Sequence, residues 1–193
     1  MIYQLYREQQ LHCSIDKAWD FFTSPENLPL IAPQEMDFTV LTQIKYPIHE
    51  GMQVDYRLKP LFGIPIRWKS EVRKVDHKKS FVDYQLKGPY KMWHHYHEFI
   101  ENDKGVLMKD ILNYEMYYSF IGKIINRLIV RKKLEYIFSN RYDIVNQIFN
   151  QKLNVQQDLG ECSRENPLYN KSDDRLLIKS FIETTISNVH NKI

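Results

Sequence analysis

Alternation between apolar and polar side chains in the middle of the chain restricts the possible folds more than any other feature. Every second residue of 52–58 is apolar, and 64–73 largely repeats the same two-residue period. Side chains alternate between the two faces of a β-strand, so each segment is predicted to be a strand with one buried face. Further strands are predicted at about 80–87, 90–101 and 105–115, where short turn segments separate the runs. Connections this short join antiparallel neighbours, which predicts an antiparallel sheet.

Other patterns lie on either side of these strands along the chain. Residues 2–10 are predicted to form a first strand, and Ser14 can cap a short helix that Pro25 ends. After Gly122 the period is helical again and no proline interrupts it, but the apolar stripe drifts, which predicts one long helix with a bend near 130–133. This order predicts an α+β fold, in which a curved antiparallel β-sheet is closed by one long C-terminal α-helix, with space for a cavity between them.

The two parts of the chain differ in composition. Residues 1–150 contain all of these periodic segments and are predicted to form one domain. Residues 151–171 are polar and aperiodic, as is typical of a linker. Ser172 then precedes a run with helical apolar spacing, so 151–193 are interpreted as a polar linker and a C-terminal amphipathic helix. Whether that helix docks on this domain or on a partner is left open.

Composition and charge narrow the function classes. A net charge of +3 is too small to predict nucleic acid as the main partner. Cys13 and Cys162 lack the paired spacing of a thiolate zinc site or of a disulfide framework. No apolar run approaches the roughly 20 residues of a membrane span, and the first ten residues lack the apolar core of a signal peptide. We therefore expect a cytoplasmic protein with no cofactor, and we assign no oligomeric state.

Basic residues concentrate in the predicted long helix and its approach, residues 117–150. Lys123, Arg127 and Arg131 recur at four-residue intervals, which places them along one side of a helix. Such a stripe is usually a solvated helix face. It also suits peripheral contact with an anionic membrane surface, from which a carrier could collect its ligand. Both interpretations stay open at this point.

The stretch GPYKMWHHYHEF, residues 88–99, combines three histidines with several aromatic rings. Strand alternation puts Trp93, His95 and His97 on one face, and this face carries the larger rings. We predict that it faces the cavity. If the following strand pairs with this one in a hairpin, Asp110 lies near His95 or His97.

Three interpretations of His95, His97 and Asp110 are compatible with the sequence. Two imidazoles and a carboxylate could bind zinc or iron, but no further strong ligand is visible, so no metal site is predicted. A histidine oriented by Asp110 could instead transfer protons in an aldol-type cyclisation or a loss of water. The third interpretation is a satisfied hydrogen-bonded network that places a polar spot in an apolar cavity. We adopt the third interpretation and keep acid–base catalysis as the alternative.

The chain resembles the START-like (SRPBCC) helix-grip superfamily, and in particular its bacterial subgroup of cyclase/dehydrase-like ligand-binding domains. The resemblance covers roughly residues 1–148, and the GPYxxWxHxHxF string within 88–99 is its most specific part. The matching segments are WDFFTSPENLPLIAP at 19–33, EGMQVDYRL at 50–58, GIPIRWKSEV at 63–72, FVDYQLKGPYKMWHHYHEF at 81–99, LMKDILNY at 107–114 and RKKLEYIFSNR at 131–141.

This resemblance implies that residues 1–150 form a helix-grip domain, an α+β fold in which a curved antiparallel β-sheet wraps around a long C-terminal α-helix and leaves an internal cavity. It also implies binding of a hydrophobic or amphipathic small molecule, such as a lipid, a quinone or a polyketide-like compound. Because a minority of relatives catalyse cyclisation or dehydration, a cyclase or dehydratase with a His/Asp acid–base pair in the same cavity is the alternative. A non-catalytic binding protein is the interpretation adopted. Asp83 could be a cavity acid or the salt-bridge partner of a nearby arginine, and we favour the salt bridge. The candidate ligand-binding residues are Tyr56, Trp68, Trp93, His95, His97, Asp110 and Tyr114, of which His95, His97 and Asp110 are also the catalytic candidates.

Overall fold

A computed structural model describes residues 1–44, 47–60, 63–117 and 126–150 of the chain. The described strands are β1 (Ile2–Leu11), β2 (Thr39–Val40), β3 (Gln53–Leu58), β4 (Ile66–Asp76), β5 (Ser80–Lys87), β6 (Met92–Asn102) and β7 (Gly105–Glu115). The described helices are α1 (Ile15–Phe22), α2 (Leu28–Ile31) and α3 (Arg131–Phe149), with 3₁₀ turns at Pro25–Asn27 and Gln34–Met36 and a π-helical turn at Asn126–Val130. The predicted linker and final helix, residues 151–193, lie outside the described residues.

Helix α1 begins and ends where its local chemistry predicts. The Ser14 hydroxyl accepts a hydrogen bond from the Lys17 backbone N–H at 3.4 Å, as an N-cap residue does. At the other end, the Thr23 backbone N–H and hydroxyl both donate to the Trp19 carbonyl. Pro25 then starts a 3₁₀ turn, since its ring fixes φ and it carries no N–H.

The described strands form one antiparallel sheet in the order β1-β7-β6-β5-β4-β3-β2. Strands β2 to β7 therefore follow one another in space as they do in sequence, and β1 pairs with β7 at the far edge. The β4–β5 pairing shifts its register twice, and Lys74 adopts a φ of 50° within β4. Irregularities of this kind bend a strand, which helps the sheet to present a concave face. The predicted α+β helix-grip fold is confirmed.

Helix α3 packs against the inner face of this sheet. The π-helical turn Asn126–Val130 runs directly into α3 at Arg131. The helix thus changes its hydrogen-bond period inside 130–133, where the drift of the apolar stripe predicts a bend. The buried apolar residues of α3 are Leu134, Phe138, Val145 and Phe149.

The core consists of two apolar clusters that share the inner face of the sheet. One contains α1, with Trp19 and Phe22, together with Val145 and Phe149 of α3. The other contains Leu5, Trp93, Leu112 and Tyr114 from the sheet and Leu134 and Phe138 from α3. Because α3 contributes to both clusters, burial of its apolar side chains holds it along the sheet.

The basic stripe predicted on the long helix is only partly within the described residues. Lys123 lies outside them, and Arg127 is exposed. Arg131 is engaged, because its Nε lies 2.8 Å from a Glu135 carboxylate oxygen and its Nη1 donates to the Gln4 carbonyl at 3.3 Å. Among the described residues, no helix is both long enough and apolar enough to cross a membrane. Peripheral contact with an anionic membrane surface stays a prediction.

Candidate functional site

A cavity of about 150 Å³ lies between the inner face of the sheet and α3. Its wall is mainly apolar and aromatic, with aliphatic side chains from α2 and α3 and rings from the sheet, the loops and α3. The aromatic residues of the wall are Phe38, Tyr56, Trp68, Tyr90, Trp93 and Phe138. A concave, mostly apolar space with a few polar groups is the usual form of a small-molecule site.

Three rings form one end of this wall. The Trp68 and Trp93 centroids are 5.1 Å apart with their planes at 84°, and the Tyr90 ring lies 4.8 Å from Trp93 and 5.7 Å from Trp68. Trp68 comes from β4 and Trp93 from β6, and alternation points both side chains to the inner face. Edge-to-face contacts favour fixed ring positions, so this end of the wall is formed before a ligand binds.

The turn that carries Tyr90 depends on a glycine. The Gln85 side-chain amide donates to the Tyr90 carbonyl at 2.6 Å, which ties the turn to β5. A Cβ atom at Gly88 would lie 2.2 Å from the Gln85 amide oxygen. Glycine at residue 88 therefore allows Gln85 to hold Tyr90 against the two tryptophans. This contact explains why glycine and tyrosine occur together in the GPY part of the motif.

Three polar residues lie on the same wall, one on each of three neighbouring strands. They are Ser70 on β4, Asp83 on β5 and His95 on β6. Asp83 and His95 are direct partners across the β5–β6 pair, so their side chains emerge next to each other on the inner face. We call these three residues the polar pole of the cavity.

Asp110 lies behind the polar pole and contacts three side chains. The His95 Nε2 is 3.0 Å from Asp110 Oδ1 and forms a hydrogen bond with it. The His97 Nδ1 is 2.7 Å from the same oxygen, but its ring direction does not make a well-formed hydrogen bond. From α3, the Arg141 Nη2 lies 3.6 Å from Asp110 Oδ2. The register of the β6–β7 hairpin brings these side chains together, since His97 is the direct partner of Asp110.

These contacts set the charges behind the cavity. Burial alone would raise the pKa of Asp110, but the Arg141 guanidinium and the contacts with His95 and His97 hold that pKa well below its ordinary value. Burial, reinforced by the neighbouring His95, lowers the pKa of His97 to about 3, against the opposing pull of Asp110. Asp110 is thus an anion and His97 a neutral imidazole at neutral pH.

Asp83 has the opposite electrostatic environment. Burial raises the pKa of Asp83, and the nearby His95, Ser70 and Arg141 only partly offset this effect. The residue is half-buried, because part of its surface faces the cavity. Two carboxyl groups on either side of His95 therefore differ in proton affinity, as groups with different roles in one site often do.

A metal ion could be coordinated by part of this cluster in principle. One nitrogen of His95, one of His97 and one carboxylate oxygen of Asp110 all lie within 4.8 Å of one another. Arg141 already supplies a positive charge to the same carboxylate, however, and this charge opposes the approach of a divalent cation. The cluster fits an ion-paired network better than a metal centre.

The structure separates the seven candidate ligand-binding residues into two groups. Tyr56, Trp68, Trp93 and His95 line the cavity. His97 and Asp110 lie next to His95, outside the cavity wall, and Tyr114 is fully buried, with its ring 6.5 Å from Trp93 and stacked on Tyr3 at 5.5 Å. Their roles toward a ligand stay predictions.

Sequence reasoning favoured a salt bridge for one cavity residue and did not single out two others. Asp83 forms no ion pair with any cation among the described residues and lines the cavity instead. The sequence carried a signal for this position, since Asp83 lies between Phe81 and Gln85 in the two-residue period that forms the buried face of β5. Ser70 continues the apolar side of β4 and could have been found in the same way. Arg141 could not, because a helix pattern alone does not say which strand residue it meets.

Comparison with known proteins identifies solved structures that share this fold. No protein-family model matches the chain, and no curated protein matches it. The di-domain ARO/CYC BexL from the BE-7585A biosynthetic pathway matches with a TM-score of 0.59 at 12% identity, over 78% of this chain and 51% of that chain. The di-domain ARO/CYC StfQ from the steffimycin pathway matches with 0.57 at 11% identity, over 75% and 49%. Protein Ms6760 from Mycobacterium smegmatis matches with 0.52 at 15% identity, over 74% and 90%.

The chain thus spans about half of each di-domain protein and most of Ms6760. Identities this low show a shared fold and nothing finer. The subgroup named by the sequence motif stays a prediction, while the helix-grip architecture common to these neighbours is confirmed.

Proposed function

We propose that this protein binds a hydrophobic or amphipathic small molecule in the cavity between its sheet and α3. The observation that carries this proposal is the form of the cavity, whose aromatic walls end at a polar pole of Ser70, Asp83 and His95. The ARO/CYC names of two fold neighbours support a ligand-binding or cyclase role in this architecture. Because one fold hosts several unrelated functions, the cavity carries more weight than the likeness.

The cavity can supply most of the binding free energy through apolar burial. A bound aromatic ring removes roughly 150 Å² from water, which at about 25 cal/mol per Å² contributes about 4 kcal/mol before the cost of association. The preformed walls around Trp68 and Trp93 limit the ordering cost. The polar pole then orients one polar end of the ligand and adds selectivity rather than bulk affinity.

Native mass spectrometry of the freshly purified chain tests this proposal. We expect a mass excess that disappears on denaturation, because a ligand held without covalent bonds leaves the unfolded protein. An excess equal to one metal ion would instead assign His95, His97 and Asp110 to coordination. A protein that is empty and also fails to bind hydrophobic probes in titrations would contradict the proposal.

Acid–base catalysis is a second candidate, and one observation favours it. His95 lines the cavity while its Nε2 is hydrogen-bonded to Asp110, so the ring is held in one orientation toward the cavity. In a dehydration, such a base would take a proton from the carbon next to a carbonyl group. The C–O bond of a β-hydroxyl would then break, a double bond would form, and a proton from a neighbouring acid would complete the water that leaves.

The two candidates predict different effects of His95→Ala. Under binding alone, the substitution weakens a polar-headed ligand more than a hydrocarbon probe. Under catalysis, it abolishes turnover of a β-hydroxy carbonyl substrate and leaves binding largely intact. Parallel calorimetry and turnover assays on wild type and variant separate the two, and Asp110→Asn provides the companion variant. Equal loss of affinity for polar and apolar probes would remove the orienting role of His95.

A further inference from the structure

We propose that the polar pole selects an uncharged ring that carries a hydroxyl group, of the phenol class, and that Asp83 is the residue that pairs with this hydroxyl. The inference rests on the proposed function and names the ligand class for the same cavity. Four properties of the described residues carry it: the size of the cavity, its walls, the charges at the pole and an acid that lines the cavity without an ion-pair partner.

The size of the cavity indicates a single ring. At about 150 Å³, it equals the volume at which an apolar cavity in a protein interior holds one benzene molecule. Larger compounds such as a quinone with its tail or a multi-ring polyketide exceed that volume. The part of a ligand that lies next to the polar pole is therefore the size of one ring, and a longer ligand would extend beyond the cavity.

The walls favour an aromatic ring over a short chain. The rings of Trp68 and Trp93 meet at nearly a right angle. Phe138 lines the cavity from α3, and its ring lies 5.5 Å from the His95 ring. An aromatic guest in such a setting gains ring–ring contacts of about 0.5–1.5 kcal/mol each, which an aliphatic guest of equal size lacks.

The charges at the pole favour a neutral head group. Arg141, the one permanent cation among the lining residues, already lies 3.6 Å from Asp110, whose contacts keep that carboxylate ionised. His97 is neutral at pH 7. Asp83 is therefore an acid with no cation of its own, and a ligand carboxylate beside it would bring a second buried negative charge. A neutral hydroxyl avoids this cost.

A hydroxyl group fits the acid at the pole. Asp83 lines the cavity and forms no ion pair among the described residues. A ligand hydroxyl has one donor and two lone pairs. Its O–H can donate to the Asp83 carboxyl group, which a methyl group of similar size cannot do.

Isothermal titration of the full 193-residue chain with three matched probes tests this inference. The probes are p-cresol, p-xylene and p-toluate, which share the methylated ring and differ in a hydroxyl, a methyl and a carboxylate group. We expect p-cresol to bind about tenfold more tightly than p-xylene, because only p-cresol donates a hydrogen bond to the Asp83 carboxyl group. We expect no detectable binding of p-toluate at pH 7.

Substitution of Asp83 assigns the selectivity to that residue. In Asp83→Leu, p-cresol should lose its advantage and p-xylene should bind more tightly than to wild type, because the pole becomes apolar. In Asp83→Asn, the barrier to p-toluate should fall because the acid is gone. The matched control is Asp55→Leu, which removes a carboxylate from the outer face of β3 and should change none of the three affinities.

The outcomes distinguish this inference from the proposed function. Equal affinity of wild type for p-cresol and p-xylene, or preferred binding of p-toluate, would overturn the phenol-class inference while cavity binding stands. No binding of any probe, together with an empty protein in native mass spectrometry, would overturn both. The comparison of probes on wild type decides the question even if the Asp83 variants fail to fold.

Discussion

Asp110 shows how one side chain can organise a buried site. Its two oxygens contact imidazoles from the same sheet on one side and the Arg141 guanidinium from α3 on the other. All four groups are removed from water, and isolated burial of any of the charges would be costly. The pairing of Asp110 with Arg141 offsets that cost and connects the helix to the sheet behind the cavity.

Because the pKa of His97 is lowered, the folded protein should begin to lose stability at pH values above those at which carboxyl groups bind protons. The unfolded chain binds a proton at this residue below pH 6.5, whereas the folded protein does so only near pH 3. Stability should therefore fall as the pH drops from 6.5 toward 3, by at most about 1.4 kcal/mol per pH unit from this group. Urea unfolding of wild type and His97→Gln between pH 7 and 4.5 measures the slope.

In that experiment, His97→Gln should lose part of the pH dependence whatever its absolute stability. The control is His49→Gln, because His49 is exposed and its removal should leave the slope unchanged. Identical slopes for wild type and His97→Gln would show that His97 is protonated in the folded protein, contrary to the burial argument.

At the scale of elements, side chains from α3 and its C-cap contact β1, the strand at the edge of the described sheet. The Arg131 guanidinium donates to the Gln4 carbonyl, and Asn150, the C-cap residue, donates to the Gln10 carbonyl at 2.7 Å. The Asn150 side-chain oxygen also accepts from the His12 backbone N–H at 2.9 Å. Unpaired edge groups invite pairing with another chain, so these contacts protect the edge while they fix the helix.

Removal of the Asn150 amide should loosen this junction. Asn150→Ala leaves the Gln10 carbonyl and the His12 N–H without their side-chain partner, and we expect a loss of about 1 kcal/mol in unfolding free energy. Amide exchange at His12 should become faster. The control is Asp143→Ala on the exposed side of α3, and a loss of equal size in both variants would argue against a specific role for Asn150.

At the scale of the whole molecule, the cavity lies along the boundary between two apolar clusters. Trp68 and Ile137 pack against both clusters, and α3 spans them with Phe138 on one side and Val145 on the other. The polar pole and Asp110 occupy the same inner face between them. Among the described residues, the side chains around this space leave a cavity of about 150 Å³ between the two clusters.

Phe138 connects stability with binding at this scale. Phe138→Ala removes a buried ring from the cavity wall and should cost about 3 kcal/mol of unfolding free energy. It should also admit a larger guest, so 2-naphthol should bind the variant more tightly than wild type. Thermal unfolding with and without 2-naphthol measures both effects. Phe21→Ala, a buried ring in the other cluster, should destabilise without the gain in binding.

Much of the fold could be predicted from the sequence because its signals are local. The two-residue period of β3 and β4, the Ser14 cap and the proline-free helical run each depend on neighbouring residues only. The same alternation put His95 and His97 on one face and predicted Asp110 beside them, since a short turn between β6 and β7 sets the register. Periodicity therefore predicted contacts between side chains only within a single hairpin.

Tertiary structure alone decided which of these residues meet the cavity. Asp83 faces it because β5 lies beside β6 in that register, and the local pattern fitted a salt bridge equally well. Arg141 reaches Asp110 because of the angle at which α3 crosses the sheet, a result of packing at distant positions. The volume of the cavity is likewise the remainder after all side chains have packed, so no single segment encodes it.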